Sequence, residues 1–251
     1  MRQLKRIVEY VGSLGILFMR TLRMCFTPPF KIKALIEQMS IIGVGSFLIV
    51  FLTALFTGMV LAFQMSHIMQ KMGAEMYIAS LVGLSVTREL GPVLTALVVS
   101  ARVGASITAE LGTMKVTEQI DALEALAVHP VKYLVVPRFL ALCLTLPLLT
   151  IYADIIGILG GFGIAVSRLH LPARLYLKRT FDFLEYRDIY TGILKSLIFA
   201  AIISIVACYH GMKTRGGAEG VGKSTTLSVV ISCILVIAFD CVATAFFYFV
   251  F

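Results

Sequence analysis

Gly217-Ala218-Glu219-Gly220-Val221-Gly222-Lys223-Ser224 matches the phosphate-binding pattern G-x-x-x-x-G-K-[ST] letter for letter. How this stretch is read decides the fold. A nucleotide-binding loop needs a β-strand before it and a soluble helix after it, so that backbone N–H groups converge on phosphates. Here the flanks are the apolar runs Ile193 to Gly211 and Leu227 to Phe251, each long enough to cross a bilayer. A working loop would also place Lys223 on the β- and γ-phosphates, Ser224 on Mg²⁺, and an acidic metal partner at the end of another strand. No strand-like segment offers that acid, and Asp240, the nearest one downstream, lies well inside an apolar run. The match is therefore read as coincidental. Its glycines serve a tight turn between two membrane helices, with Lys213, Arg215 and Lys223 facing headgroups or a partner.

The composition agrees. Hydrophobic residues make up 59% of the 251 residues and charged residues 14%, against about 25% charged in ordinary soluble domains. The mean hydropathy is +0.95. The chain reads as an all-α polytopic membrane protein, one domain over residues 1–251, since no polar stretch is long enough for a separate soluble domain. Its net charge of +8 suits basic loops against anionic headgroups, and no basic patch on a soluble face points to nucleic acid. Cys25, Cys143, Cys208, Cys233 and Cys241 are odd in number and lack C-x-x-C spacing, so they read as packing residues. His67, His129, His170 and His210 lack metal-site spacing. Neither a metal nor another cofactor is implied. Arg20 and Arg23 interrupt the first apolar segment, which does not read as a cleaved signal peptide.

Within residues 1–30, Leu4, Ile7, Val8, Val11, Leu14, Phe18 and Leu22 recur at helical spacing, with Arg2, Lys5, Arg6 and Glu9 off that stripe. An amphipathic helix in the membrane interface is expected, ended by Pro28-Pro29. Five spans follow, over about 41–63, 76–101, 134–167, 191–211 and 227–251, with Pro147 available to kink the third. With the N-terminus in the cytoplasm, the inner segments carry 13 Lys and Arg and the outer segments 6. That bias favours N-in and C-out. The basic segment 168–187 is the exception, and its Leu175, Leu177, Phe181, Phe183 and Leu184 suggest a short interfacial helix. Gly83, Thr87, Gly91 and Thr95 form a small-residue ladder, as do Gly104, Thr108 and Gly112, and Gly157, Gly161 and Ala165. Such ladders let helices approach closely, whether within one chain or between two.

Two groups of residues stand out chemically. Over about 117–127, Ile120, Leu123, Leu126 and Ala127 make an apolar stripe, while Glu118, Asp121 and Glu124 recur at every third position. Thr117 is the expected N-cap, and His129-Pro130 ends the segment. A short acidic amphipathic helix of this kind can dock in a partner's groove. Inside the spans lie Arg88, Glu89, Asp154, Lys195 and Asp240. A mid-bilayer charge costs about 2.5–3.5 kcal/mol, so such groups face one another or a cavity. Adjacent Arg88 and Glu89 point about 100° apart on a helix, which sends them to different partners. Interhelical pairing and a substrate role both remain open for them.

Thr87-Arg88-Glu89-Leu90-Gly91-Pro92-Val93-Leu94, Ala101-Arg102-Val103-Gly104-Ala105, the run Ala109-Glu110-Leu111-Gly112-Thr113-Met114-Lys115-Val116-Thr117-Glu118-Gln119-Ile120-Asp121-Ala122-Leu123 and Val136-Pro137-Arg138 closely resemble the MlaE-type permease family. Gly216 to Gly222 with Thr225-Thr226 resemble the same family's loop before its last helix, and the resemblance runs from about residue 40 to the end. It implies an N-terminal interfacial helix, five transmembrane helices and no catalysis by this chain. The implied function is that of an inner-membrane ABC transporter permease that moves phospholipid between inner and outer membranes and maintains outer-membrane lipid asymmetry. The implied partners are a second copy in a homodimer, cytoplasmic ATPase subunits, a periplasmic hexamer of MCE-domain proteins and a STAS-domain protein. By the same resemblance, 117–127 is the helix that couples to the ATPase, through Glu118, Ile120, Asp121, Leu123 and Glu124. Arg88, Glu89, Lys195 and Asp240 match polar positions near the family's lipid pocket; Arg88 is expected to meet the lipid phosphate or to stabilise the cavity that holds it, with the other three in a supporting polar network. A competing reading makes the chain an ion-coupled secondary transporter, with Arg88, Glu89, Asp154 and Asp240 as a relay. Such transporters often show inverted repeats, and neither an internal repeat nor an even number of spans is present.

Overall fold

Long uncharged runs in a chain this apolar can satisfy their backbone groups in lipid only as helices. The computed structural model describes residues 2–28, 31–169 and 171–250, and helix dominates them, with no strand. Pro29, His170 and Phe251 lie outside the described residues, as do the side chains of Arg2, Leu4, Arg6 and Ile7. The elements are α1 (Arg2–Cys25), α2 (Ile32–Lys71), α3 (Ile78–Ser85), α4 (Gly91–Val99), α5 (Ala105–Val116), α6 (Gln119–Ala125), α7 (Val136–Ser167), α8 (Ala173–Phe183), α9 (Tyr186–Met212) and α10 (Gly217–Val250). Among the described residues, five stretches are long and apolar enough to cross a membrane: Ile32–Lys71, Glu75–Val116, Val131–Ser167, Tyr186–Met212 and Gly217–Phe247. The fold is all-α, with an amphipathic helix ahead of five spans.

The second span is assembled from pieces. Between α3 and α4 the backbone widens into a π turn at Val86–Leu90, and between α4 and α5 into another at Ser100–Gly104. A third, Val131–Val135, opens the third span directly after Pro130. Single π turns inside α-helices often mark functional positions, and the first of these carries Arg88 and Glu89.

Two local readings change, and α1 shows which of its edges packs. Thr117 does not cap α6; it closes α5, its hydroxyl donating to Thr113 O at 2.9 Å. Helix α6 instead starts from Glu118 in the left-handed conformation, φ 59°. The glycine-rich stretch is less loop than expected, because α10 already begins at Gly217 and the turn shrinks to its approach. Gly216 at φ 92° and Gly217 at φ 66° make that turn, a conformation L-residues with a Cβ resist. In α1 the packed edge is Leu17, Thr21 and Cys25, each buried, whereas Val8, Val11, Ile16 and Met19 are more than half exposed. Lipid takes the most apolar face of an interfacial helix, so that face need not be the one that packs on protein.

Two compact units alternate along the chain. The first comprises Met1–Val44, Val99–Thr145 and Phe199–Ile237, the second Gly45–Val98, Leu146–Ile198 and Ala238–Phe251. In the first, Ile107 and Leu111 are buried, as are Ile203 and Ala207, and the Thr108 hydroxyl lies 2.9 Å from Ser228 Oγ and 2.8 Å from Gly104 O. In the second, Ile78, Val82 and Val86 pack on Ala62. The amphipathic α8 tucks Tyr176 and Thr180 inward and leaves Phe181 exposed; burial pushes the Tyr176 phenol well above its usual pKa. The small-residue ladders meet partners within this chain. A Cβ on Gly58 would strike the backbone of Gly157, and one on Gly161 would come 2.8 Å from both Tyr176 Oη and Val82 Cγ1. Close helix approach in the second unit depends on these bare positions.

Candidate functional site

Helix α9 builds the centre of the second unit's polar site. Asp188, Gly192 and Lys195 recur at i, i+4 and i+7, which sets them on one face. A Cβ at Gly192 would lie 2.7 Å from Thr87 O, so glycine is what lets α9 lie against the π turn Val86–Leu90. That approach delivers the two flanking charges to Arg88 and Glu89. Lys195, 2% exposed, reaches Glu89 Oε2 at 2.7 Å, Thr244 Oγ1 at 2.8 Å and the Arg88 carbonyl at 3.1 Å. It also sits 3.0 Å from Asp240 Oδ1, an ion pair rather than a directed hydrogen bond. The Thr244 hydroxyl, one turn beyond Asp240, accepts from Lys195 and donates to the Glu89 carboxylate at 3.1–3.2 Å.

Arg88 is held differently. Its Nε donates to Asp188 Oδ1 at 2.5 Å, and Asp188 is 2% exposed. The other oxygen, Asp188 Oδ2, accepts the backbone N–H of Glu185 at 3.0 Å, closing the first turn of α9 as the acid of a capping box does. Half of the Arg88 side chain nevertheless stays exposed. It lines a cavity of about 500 Å³ together with Glu89, Glu185, Arg187, Thr191 and Phe247. The four charged residues singled out from sequence thus converge on one site in two roles. Lys195 is buried and neutralised by two carboxylates, while Arg88 is anchored at Nε with half of its side chain exposed. An arginine so oriented suits a phosphate, which it can meet with two parallel N–H bonds.

In the first unit, α6 presents its acids outward. Glu118, Asp121 and Glu124 are exposed and Leu123 is half-buried. Asp121 pairs with Lys115 at 2.5 Å. Ile120, 4% exposed, is turned into the chain's own core and anchors the helix, while Leu126 at its far end is 74% exposed. Glu118 and Ala127, at φ 59° and 57°, are the two non-glycine residues with positive φ among those described, and they bracket this helix on both sides. Left-handed backbone costs an L-residue about 1–2 kcal/mol, so the rod is held at a fixed angle against a local preference. Lys223 of the phosphate-loop match is 77% exposed and pairs with Glu219 one helical turn away. It faces no site.

The Permease MlaE family model matches residues 35–246. The chain belongs to the MlaE permease family. Probable ABC transporter permease proteins of Rickettsia felis and of a Synechocystis strain are each 43% identical to it. These alignments cover 97% and 80% of this chain, and 95% and 76% of theirs. One from Porphyra purpurea is 35% identical over 91% of this chain and 87% of its own. This MlaE permease is accordingly a multi-pass membrane subunit of an ABC transporter. Some of its family motif residues hold the fold. Arg138, 9% exposed, donates to Glu110 Oε2 and to Leu134 O, both at 2.9 Å, tying two of the motif blocks together in the first unit. Asp188 and Thr244 were missed in the sequence. An acid in the first turn of α9 was the available signal for Asp188, and the spacing of four from Asp240 was the signal for Thr244.

Proposed function

We propose that this permease moves phospholipid between the inner and outer membranes, so maintaining outer-membrane lipid asymmetry, and does so without catalytic residues of its own. Arg88 meets the lipid phosphate, Asp188 holds it in place, and the Lys195–Glu89–Asp240–Thr244 cluster keeps the cavity wall rigid. The single observation that supports this most is the half-exposed Arg88, fixed on a buried carboxylate at the edge of a 500 Å³ cavity. A chain of this kind works as a homodimer in the inner membrane, N-terminus and α6 in the cytoplasm, C-terminus in the periplasm. ATPase subunits dock on α6 from below, an MCE-domain hexamer receives or delivers lipid on the periplasmic side, and a STAS-domain protein completes the assembly.

Exposure chooses the residues that test the docking. Glu124 carries no ion pair among the described residues and Leu126 is an uncovered apolar end, whereas changing Asp121 would also break its pair with Lys115. Glu124→Lys with Leu126→Asp should cut co-purification of the ATPase by about tenfold or more, since losing an apolar anchor and reversing a charge each remove on the order of 1 kcal/mol or more. Undiminished recovery of the ATPase would place the coupling elsewhere. Lys223→Ala, by contrast, should leave ATP hydrolysis by the assembled complex unchanged; a loss of hydrolysis would return the glycine-rich stretch to consideration as a nucleotide site.

A further inference from the structure

A second cavity, of about 420 Å³, lies in the first unit, within the range of about 300–1,000 Å³ typical of ligand sites. Its floor is apolar, formed by Met24 at the end of α1, Ile32 and Leu35 at the start of α2, and Val136 and Leu140 at the start of α7. Two ammonium groups stand at it. Lys31 Nζ lies 3.1 Å from the centroid of the Tyr133 ring, and Lys132 Nζ donates to Pro28 O at 2.7 Å. No Asp or Glu lines the cavity, and neither lysine is paired with a carboxylate among the described residues. Both lysines occupy the first turns of spans or the residue just before, where a membrane helix meets headgroups.

We infer that this groove binds an anionic phospholipid of the surrounding leaflet, its phosphate between Lys31 and Lys132 and an acyl chain along Leu35 and Leu140. Charge complementarity selects the ligand: two cations with no carboxylate partner among the described residues, above an apolar floor, match a headgroup and its chain. A basic pocket between membrane helices, at the interface, is a recurrent form of such recognition. The site shares no residue with the Arg88 cavity, so the assignment does not rest on that cavity's role. One wall is Ala127, Val128 and His129, the residues that follow α6, so an occupied groove braces the end of that helix.

The test uses the full chain in its assembled complex, placed in phosphatidylcholine nanodiscs containing photoactivatable phosphatidylglycerol. Cross-links should map to peptides around Leu35 and 132–140, and unlabelled phosphatidylglycerol should compete where phosphatidylcholine does not. Lys31→Gln with Lys132→Gln should lower that labelling by about tenfold or more, each lysine near an anionic surface being worth a factor of about five. Lys33→Gln, which does not line the groove, should not lower it. Equal labelling in the double variant, equal competition by phosphatidylcholine, or cross-links confined to other peptides would overturn the assignment. So would loss of the ATPase from the double variant with labelling intact, which would make the groove a protein seat. The competition arm needs no variant and decides the matter even if the substituted chain is not recovered.

Discussion

Replacing Lys195 with methionine should destabilise this permease more than any other single change at the polar site. The ammonium is 2% exposed and holds Glu89, Asp240 and Thr244 at 2.7–3.0 Å. Methionine fills similar volume but leaves two carboxylates facing one another inside the spans. Removing one partner of a buried ion pair costs about 3–5 kcal/mol, because the remaining charge has nothing to offset its desolvation. The purified protein should melt well below the parent in detergent, and the yield of membrane-inserted protein should fall. Neutralising the carboxylates as well, in Lys195→Met with Glu89→Gln and Asp240→Asn, should recover most of the lost stability. A parent-like melt for the single variant would mean that the cluster carries little of the fold.

Arg88→Ala should separate function from folding. The variant removes the guanidinium from the cavity; because it would also leave the buried Asp188 without a cation, it is paired with Asp188→Asn, whose amide oxygen can still accept the Glu185 N–H that Asp188 holds at 3.0 Å. Hydrogen bonds to a charged group contribute about 1.5–3 kcal/mol, and each 1.4 kcal/mol is about tenfold. Lipid transfer should therefore drop by about tenfold or more in a complex that still assembles. Arg88→Lys should fall similarly, since a single ammonium cannot both hold Asp188 and grip a phosphate with a planar fork. Normal transfer in either variant would remove Arg88 from substrate contact, and failure to assemble would make the Arg88–Asp188 pair structural.

Much of this was legible in the chain because lipid is an unforgiving solvent. Uncharged runs had to be helices, and Arg88, Glu89, Lys195 and Asp240 stood out since charge inside such runs is costly unless compensated. Asp188 escaped notice for the opposite reason. It sits in the first turn of α9, where an acid is ordinary, and only the approach of Arg88 distinguishes it. Thr244 is polar enough to complete the cluster yet too mild to mark a span. The π turns carry no compositional sign; Val86 to Leu90 is as good an α-helix sequence as its neighbours. The left-handed residues bracketing α6 are Glu118 and Ala127 rather than glycines, so backbone preference pointed away from them. On α1 the period gave the helix but not the edge that packs, Leu17, Thr21 and Cys25, because in a membrane apolarity alone does not say which face meets protein.

The most direct measurement is transfer of labelled phospholipid from vesicles holding the reconstituted chain, with and without its ATPase subunits. Transfer that needs both the ATPase and ATP, and that falls with Arg88→Ala, is the expected result. Transfer by the chain alone, driven by an ion gradient across the vesicle, would contradict it.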